Sequence, residues 1–173
     1  MKGIRLGVLI LSIFLLLQTP LFPVQNVSGF WKTINHNEGF VTSVIAVYEY
    51  NNKLYGQVII GYDENTGILI DTIYDPRQHI AGENDNPFMC KSNLFWNLCR
   101  GDKKWSGGTI IDPRNGKVYF CQLWKEKDIL VLRGKWGFFW RDQILHPIES
   151  GDSPDGFIFP DIKDFIPIIP ILQ

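Results

Sequence analysis

Apolar and polar residues alternate along most of the chain beyond residue 28, in short runs separated by turn chemistry. The pattern predicts strands over 29–34, 40–50, 53–62 and 68–73, and again over 93–99, 105–111, 117–124, 129–136 and 138–144. The breaks are made of residues that favour turns. Asn51 and Asn52 join the second and third runs, and Pro113 with Gly116 in the stretch DPRNG (112–116) suits a hairpin that needs one positive φ. Only Gly137 separates the last two runs, so a bulge or bend within one strand stands beside a hairpin as a reading. No stretch carries a convincing helical period. A meander of about nine short strands points to a sandwich or a barrel, and an up-and-down barrel is preferred because it leaves no exposed edge.

Two segments break the alternation. Residues 74–89 hold Pro76, Gly82 and Pro87 among polar side chains and predict an irregular loop, placed as a lid over one end. Residues 149–173 are polar at first and end in an apolar run interrupted by Pro167 and Pro170. Such a run cannot enter the centre of a sheet, so it is expected to lie as an extended strap across apolar surface. The expected organisation is a leader over 1–25, a barrel domain over 26–148 and the C-terminal extension over 149–173.

The leader rests on Lys2 and Arg5, followed by an apolar stretch over 6–17. This stretch falls short of the roughly 20 apolar residues a spanning helix needs and suits a secretory signal. No small-residue cleavage triplet follows it, and an uncleaved anchor is the alternative, although Pro20 and Pro23 oppose a longer helix. The expectation is export to the periplasm or cell envelope, with no transmembrane span in the mature chain. The net charge is −1 with no long run of one sign, which gives no electrostatic basis for binding nucleic acid.

Candidate chemistry is sparse. His36, His79 and His146 share no metal-binding spacing, no serine sits in a nucleophile elbow, and no glycine-rich phosphate loop is present, so neither cofactor nor metal is expected. Asp63 with Asn65 and Gly67, and Asp112 with Asn115 and Gly116, look like fragments of calcium loops but lack the later bidentate Glu, and turns explain them. The cysteines Cys90, Cys99 and Cys121 permit one bridge at most. If 112–117 is a hairpin loop, Cys121 lies opposite Gly108 and far from Cys99, beyond the roughly 7 Å Cα limit for a disulfide. Cys90 with Cys99 requires the chain to turn back between them. On the strand over 117–124, Tyr119, Cys121 and Leu123 share one face. Ile45, Val47 and Glu49 share a face of theirs; Glu49 is either an inward carboxylate partnered by Arg133 or a strand-end group facing water.

The residues Gly29-Phe30-Trp31-Lys32-Thr33, Lys53-Leu54-Tyr55-Gly56, Trp105-Ser106-Gly107-Gly108, Ile111-Asp112-Pro113 with Asn115-Gly116-Lys117, Tyr119 with Cys121, Leu130 with Arg133-Gly134, and Arg141 with Gln143 resemble the uncharacterised exported bacterial family known as domain of unknown function 2147. The resemblance implies a lipocalin-like antiparallel barrel and no catalytic residues. Structural roles are expected for Asp112 and Gly116 from their turn chemistry, and for Trp31 and Arg141 from the fold analogy. By analogy with lipocalin-like barrels, Arg141 is expected to lie over the indole of Trp31, with Arg133 as the competing candidate. Residues 64–99 depart from the family pattern.

The expected function is non-enzymatic binding of a small apolar or amphipathic ligand, with Glu49, Tyr119, Cys121 and Arg133 as candidate lining residues. The alternatives are an envelope interaction module that uses the apolar tail, and an enzyme with an internal site made by Glu49 and Arg133.

Overall fold

The computed structural model describes residues 25–82 and 87–171. The expected leader, up to residue 24, and residues 83–86 of the irregular loop lie outside the described residues. The described chain forms β1 (Gly29–Ile34), β2 (Val41–Tyr50), β3 (Lys53–Tyr62), β4 (Leu69–Thr72), β5 (Asn93–Arg100), β6 (Trp105–Ile111), β7 (Val118–Glu126), β8 (Ile129–Trp136) and β9 (Phe139–Pro147), with 3-10 turns at Met89–Lys91 and Ile162–Asp164. Eight strands close into an antiparallel barrel in the order β1-β2-β3-β5-β6-β7-β8-β9, and β9 returns to β1. The all-β barrel expected from the alternation is the fold. An eight-stranded ring is just wide enough for its side chains to fill, or to hold one small ligand.

β4 is the extra strand. The first half of β3 pairs with β5, from Lys53 opposite Cys99 to Gln57 opposite Asn93, and its second half pairs with β4. The ring therefore parts between β3 and β5 toward one end. The turn Met89–Lys91 fills the gap, where the Gln57 side-chain amide donates to the carbonyl of Cys90 at 3.0 Å. The closing seam between β9 and β1 is short, with Trp31 opposite Pro147 and Lys32 opposite His146.

The hairpins follow local chemistry. Asn51 and Asn52 both take positive φ, at 48° and 61°, as a type I′ turn requires between β2 and β3. Gly137 (φ 57°) and Phe138 form a two-residue loop that sets Trp136 opposite Phe139. The last two runs are thus a true hairpin, and the bulge reading is excluded.

One end of the barrel is plugged. Trp31, Leu54, Leu98, Trp105, Leu130 and Leu145 are buried there in one apolar cluster. The Trp31 indole donates to the carbonyl of Val27 at 3.0 Å, so its ring is fixed without leaving a polar group unpaired. Above this plug the ring of Phe95 crosses the interior. A Cβ on Gly56 would stand 2.1 Å from that ring, so β3 needs a glycine where β5 sends Phe95 inward.

A second apolar layer lies on the outside of β2, β3 and β5, built from Val44, Ala46, Tyr48, Ile59, Ile60 and Trp96. The C-terminal segment covers it. Phe165 packs on Tyr48 with ring centroids 5.2 Å apart, and Phe159 packs on Phe30 at 4.8 Å. Asn93 fastens the segment from within the protein. Its backbone N–H donates to the carbonyl of Ile168 at 2.8 Å, its side-chain oxygen accepts from the N–H of Ile168 at 2.7 Å, and its amide donates to the Tyr48 hydroxyl at 2.8 Å. Burial pushes the Tyr48 phenol up to about 12, partly opposed by the hydrogen bond from Asn93. Farther back, Lys32 pairs with Asp152 at 2.9 Å. This cover explains the imperfect alternation of β2: its middle is buried on both faces, so polar residues are excluded from both.

Cys90 and Cys121 are buried and Cys99 is exposed, and none is bonded to another. The chain does not turn back between Cys90 and Cys99. β5 continues from Asn93 to Arg100, with a local irregularity at Asn97 (φ 61°) but no reversal, and so carries Cys99 roughly 20 Å from the start of the strand. Burial pushes the thiols of Cys90 and Cys121 up, leaving them as neutral packing groups.

Candidate functional site

The interior above Phe95 is hollow. A cavity of about 1260 Å³ runs from mid-barrel to the end carrying the β1–β2, β3–β4, β6–β7 and β8–β9 turns. Its apolar wall is made by Ile45 from β2, Val58 from β3, Leu94 from β5, Ile110 from β6 and Leu132 from β8. These residues share the inward parity that strand alternation gives to the plug below, except Leu94, which enters beside Met89 where the ring parts.

Polar side chains gather nearer the mouth. Thr33 and Ser43 stand on neighbouring strands with their hydroxyls 2.7 Å apart, and Thr33 also meets the hydroxyl of Thr42 at 2.6 Å. Across the barrel, Tyr119, Gln143 and Arg141 line the cavity. Gly134 lies opposite Arg141 on one side and opposite Cys121 on the other. The missing side chain at Gly134 leaves open space between Tyr119 and Arg141. A Cβ there would approach Ile110 at 3.5 Å and Tyr119 at 3.8 Å.

Among the described residues, neither the Tyr119 hydroxyl nor the Arg141 guanidinium has a protein hydrogen-bond or ion-pair partner, and the Gln143 amide has only a 3.4 Å contact with the carbonyl of Ile144. The cavity therefore presents an apolar wall and, on one side of its upper half, a phenol, a carboxamide and a guanidinium with free capacity. It can take an elongated apolar group and offer donors to a polar or anionic end.

The irregular loop borders the mouth. Gln78, His79 and Ala81 line it, and the loop is pinned: the Ala81 N–H donates to the carbonyl of Pro113 at 2.9 Å and Met89 N–H to Gln78 at 2.8 Å. The loop forms part of the rim of the cavity.

The predicted residues fall in different places. Tyr119 lines the cavity, and Cys121 is buried one step deeper on the same face of β7. Glu49 is exposed at the plugged end, beside a shallow 430 Å³ depression that also involves Arg100 and Lys163. Its strand outruns the barrel floor, so inward parity no longer means an interior position. Arg133 lies on the outer surface and holds Asp142 with two hydrogen bonds of 2.6 Å. Its guanidinium sits 5.0 Å from the ring centroid of Trp124 and 5.4 Å from that of Trp140. An internal site made by Glu49 and Arg133 does not form.

The expected clasp of Arg141 over Trp31 does not form either. Trp31 is opposite Pro147 at the plugged end, and six residues of extended strand put Arg141 roughly 20 Å away, at the mouth. Asp112 and Gly116 build the β6–β7 turn: Asp112 accepts from the N–H of Arg114 at 3.0 Å and from the Asn115 amide at 3.1 Å, and Gly116 takes a φ of 69°. Burial raises the Asp112 carboxyl, but Arg114 and Asn115 outweigh it and hold the group below its ordinary value. Asp63 likewise spends its carboxylate on Thr66 and Asn65 within its own turn. No three metal-ligating side chains gather among the described residues. Sequence reasoning missed Arg141 and Gln143 as cavity groups. Their common parity with Leu145 was the available signal.

The chain matches, over residues 29–146, a family described as an uncharacterized protein conserved in bacteria, DUF2147. It belongs to that family. The family region runs from the first residue of β1 to His146 in β9, and so takes in each of the strands named above as lining the cavity. Among solved structures the chain is similar to protein HP1028 from the human pathogen Helicobacter pylori, which is described as belonging to the lipocalin family. The two share 15% sequence identity at a TM-score of 0.55, over 74% of this chain and 86% of that one. This likeness is one of fold. A comparison with curated proteins finds no match. Among the described residues no helix is long and apolar enough to cross a membrane.

Proposed function

We propose that this protein is a non-enzymatic binding protein of the bacterial cell envelope that holds a small amphipathic molecule. The apolar body of the ligand lies against Ile45, Val58, Ile110 and Leu132. Its polar or anionic head meets Arg141, Tyr119 and Gln143. One observation carries the reading: a cavity of about 1260 Å³ that combines an apolar wall with unsatisfied polar groups on one side. Small-molecule sites usually occupy about 300–1000 Å³, so the space, part of it open mouth, suffices for a ligand of lipid or cofactor size. The lipocalin-like fold supports binding over catalysis. Export rests on the basic and apolar character of the first 17 residues.

Native mass spectrometry of the protein purified from its own envelope tests the reading, together with titration of a fluorescent long-chain carboxylate. Saturable binding that is competed by unlabelled long-chain carboxylates is expected. A protein that carries no co-purifying mass and leaves the probe's emission unchanged defeats the proposal.

A further inference from the structure

The β8–β9 hairpin carries an unusual surface. Phe138 at its tip is 94% exposed, and Phe120, Phe139, Trp136 and Trp140 around it are all more than half exposed. Phe120, Lys135 and Trp140 form one row across β7, β8 and β9 on the outer face, while Trp136 and Phe139 face the cavity mouth. Single exposed aromatics are ordinary, but five on one hairpin and its neighbouring strand form a contiguous patch.

Its electrostatics are one-sided. Lys117, Lys135 and Arg141 surround the aromatics and make no ion pair among the described residues. The two nearest carboxylates are engaged, Asp142 by Arg133 and Asp112 by Arg114. Of the other rim carboxylates, Asp63 and Glu64 belong to the β3–β4 turn, opposite β8–β9 in the ring, where Thr66 and Arg114 hold them. Glu38 lies on the β1–β2 turn, which follows β9 in the ring, on the side of the hairpin away from Phe120 and Lys117.

We propose that this hairpin docks the barrel, mouth first, on an anionic phospholipid surface. Tryptophan and phenylalanine at a convex tip suit the depth of lipid headgroups, where an apolar ring enters the acyl boundary and neighbouring lysine and arginine meet phosphate. A two-residue turn makes a wedge, which offers a protein partner no concave face to fill. A second copy is disfavoured by charge: a two-fold contact through this patch sets Lys117, Lys135 and Arg141 against their own images. Docking places the cavity mouth at the surface from which an amphipathic molecule would leave. The proposal goes beyond the ligand-binding reading and stands without it.

The test uses the chain from Gln25, which holds β1 to β9 and the strap but lacks the apolar stretch 6–17 that would bind vesicles by itself. Co-sedimentation is measured with vesicles of phosphatidylcholine alone and of phosphatidylcholine containing phosphatidylglycerol. Binding is expected to the anionic vesicles. Replacing Phe120 and Phe138 together by Ser lowers partitioning about tenfold or more. Lys135→Glu lowers it by more than about fivefold on anionic vesicles only. None of these three residues lines the cavity or belongs to the buried core, so the circular dichroism spectrum and the thermal midpoint serve as the fold check and stay unchanged. If the double variant does not fold, Lys135→Glu carries the test. In the wild type, Trp136 and Trp140 become quenchable by bromine-labelled lipid. The proposal is overturned if the wild type stays with the vesicle-free fraction, if Lys135→Glu binds anionic vesicles as the wild type does, or if sedimentation shows a dimer that the double variant dissolves.

Discussion

Replacing Arg141 by Gln separates recognition of a charged head from accommodation of an apolar body. The guanidinium lines the cavity beside the space left by Gly134 and has no protein partner among the described residues. A hydrogen bond to a charged group contributes roughly 1.5–3 kcal/mol, and solvent at the mouth screens part of it. A loss of about 1–2 kcal/mol is therefore expected, which is a five- to thirtyfold weaker complex. The assay is a paired fluorescence titration with a dansyl-labelled long-chain carboxylic acid and its methyl ester. The acid should weaken by that factor in the variant, while the ester changes by no more than about twofold. Folding stability should stay within about 0.5 kcal/mol of the parent, because an exposed side chain without partners is removed. Equal weakening of acid and ester would show that Arg141 acts only through shape. An unchanged acid affinity would remove it from the site altogether.

Three further outcomes follow from the packing and the charges. Phe165→Ala empties the contact that the strap makes with Tyr48 and should cost about 3–5 kcal/mol, seen as a fall of roughly 10 °C in thermal midpoint. In the native protein a thiol reagent should titrate Cys99 alone, with Cys90 and Cys121 reacting only after denaturation; rapid reaction of more than one thiol contradicts the burial. Asp142 is held below the ordinary carboxylate value of 3.8, first by hydrogen bonds from Arg133 and then by its charge. A depressed folded-state value contributes stability above 3.8 that is lost as pH falls through the folded value, so Asp142→Asn should flatten the acid end of a stability-against-pH curve and leave neutral stability slightly lower. An acid limb of unchanged steepness would count against the pair.

The strands were legible because each lies between residues with one job. Asn51 and Asn52 adopt the two positive φ values that a tight hairpin demands, and the DPRNG turn uses its Asp, Asn and Gly as its chemistry requires. Parity along β7 set Tyr119, Cys121 and Leu123 on one face, and that face is the interior. Parity failed where the frame around it was uncertain. Whether Gly137 bends one strand or turns two decides which side of β9 faces inward. The hairpin that forms pairs Arg133 with Asp142, and this single register sends Arg133 to the surface and Arg141 to the cavity. For Glu49 the parity was inward, but β2 extends past the plug into water.

The sequence by itself determined local matters: alternation, turn type, the all-β class and the positions at which only glycine or asparagine fits. These depend on a few neighbouring residues, whose sterics and hydrogen bonding do not change with the rest of the chain. Tertiary structure alone decided that Phe95 crosses above Gly56, that Asn93 clasps Ile168, and that the space above them stays open. A cavity is what remains when eight separated segments fail to meet. No run of residues encodes that volume, and only the closed barrel brings Tyr119, Gln143 and Arg141 together at its edge.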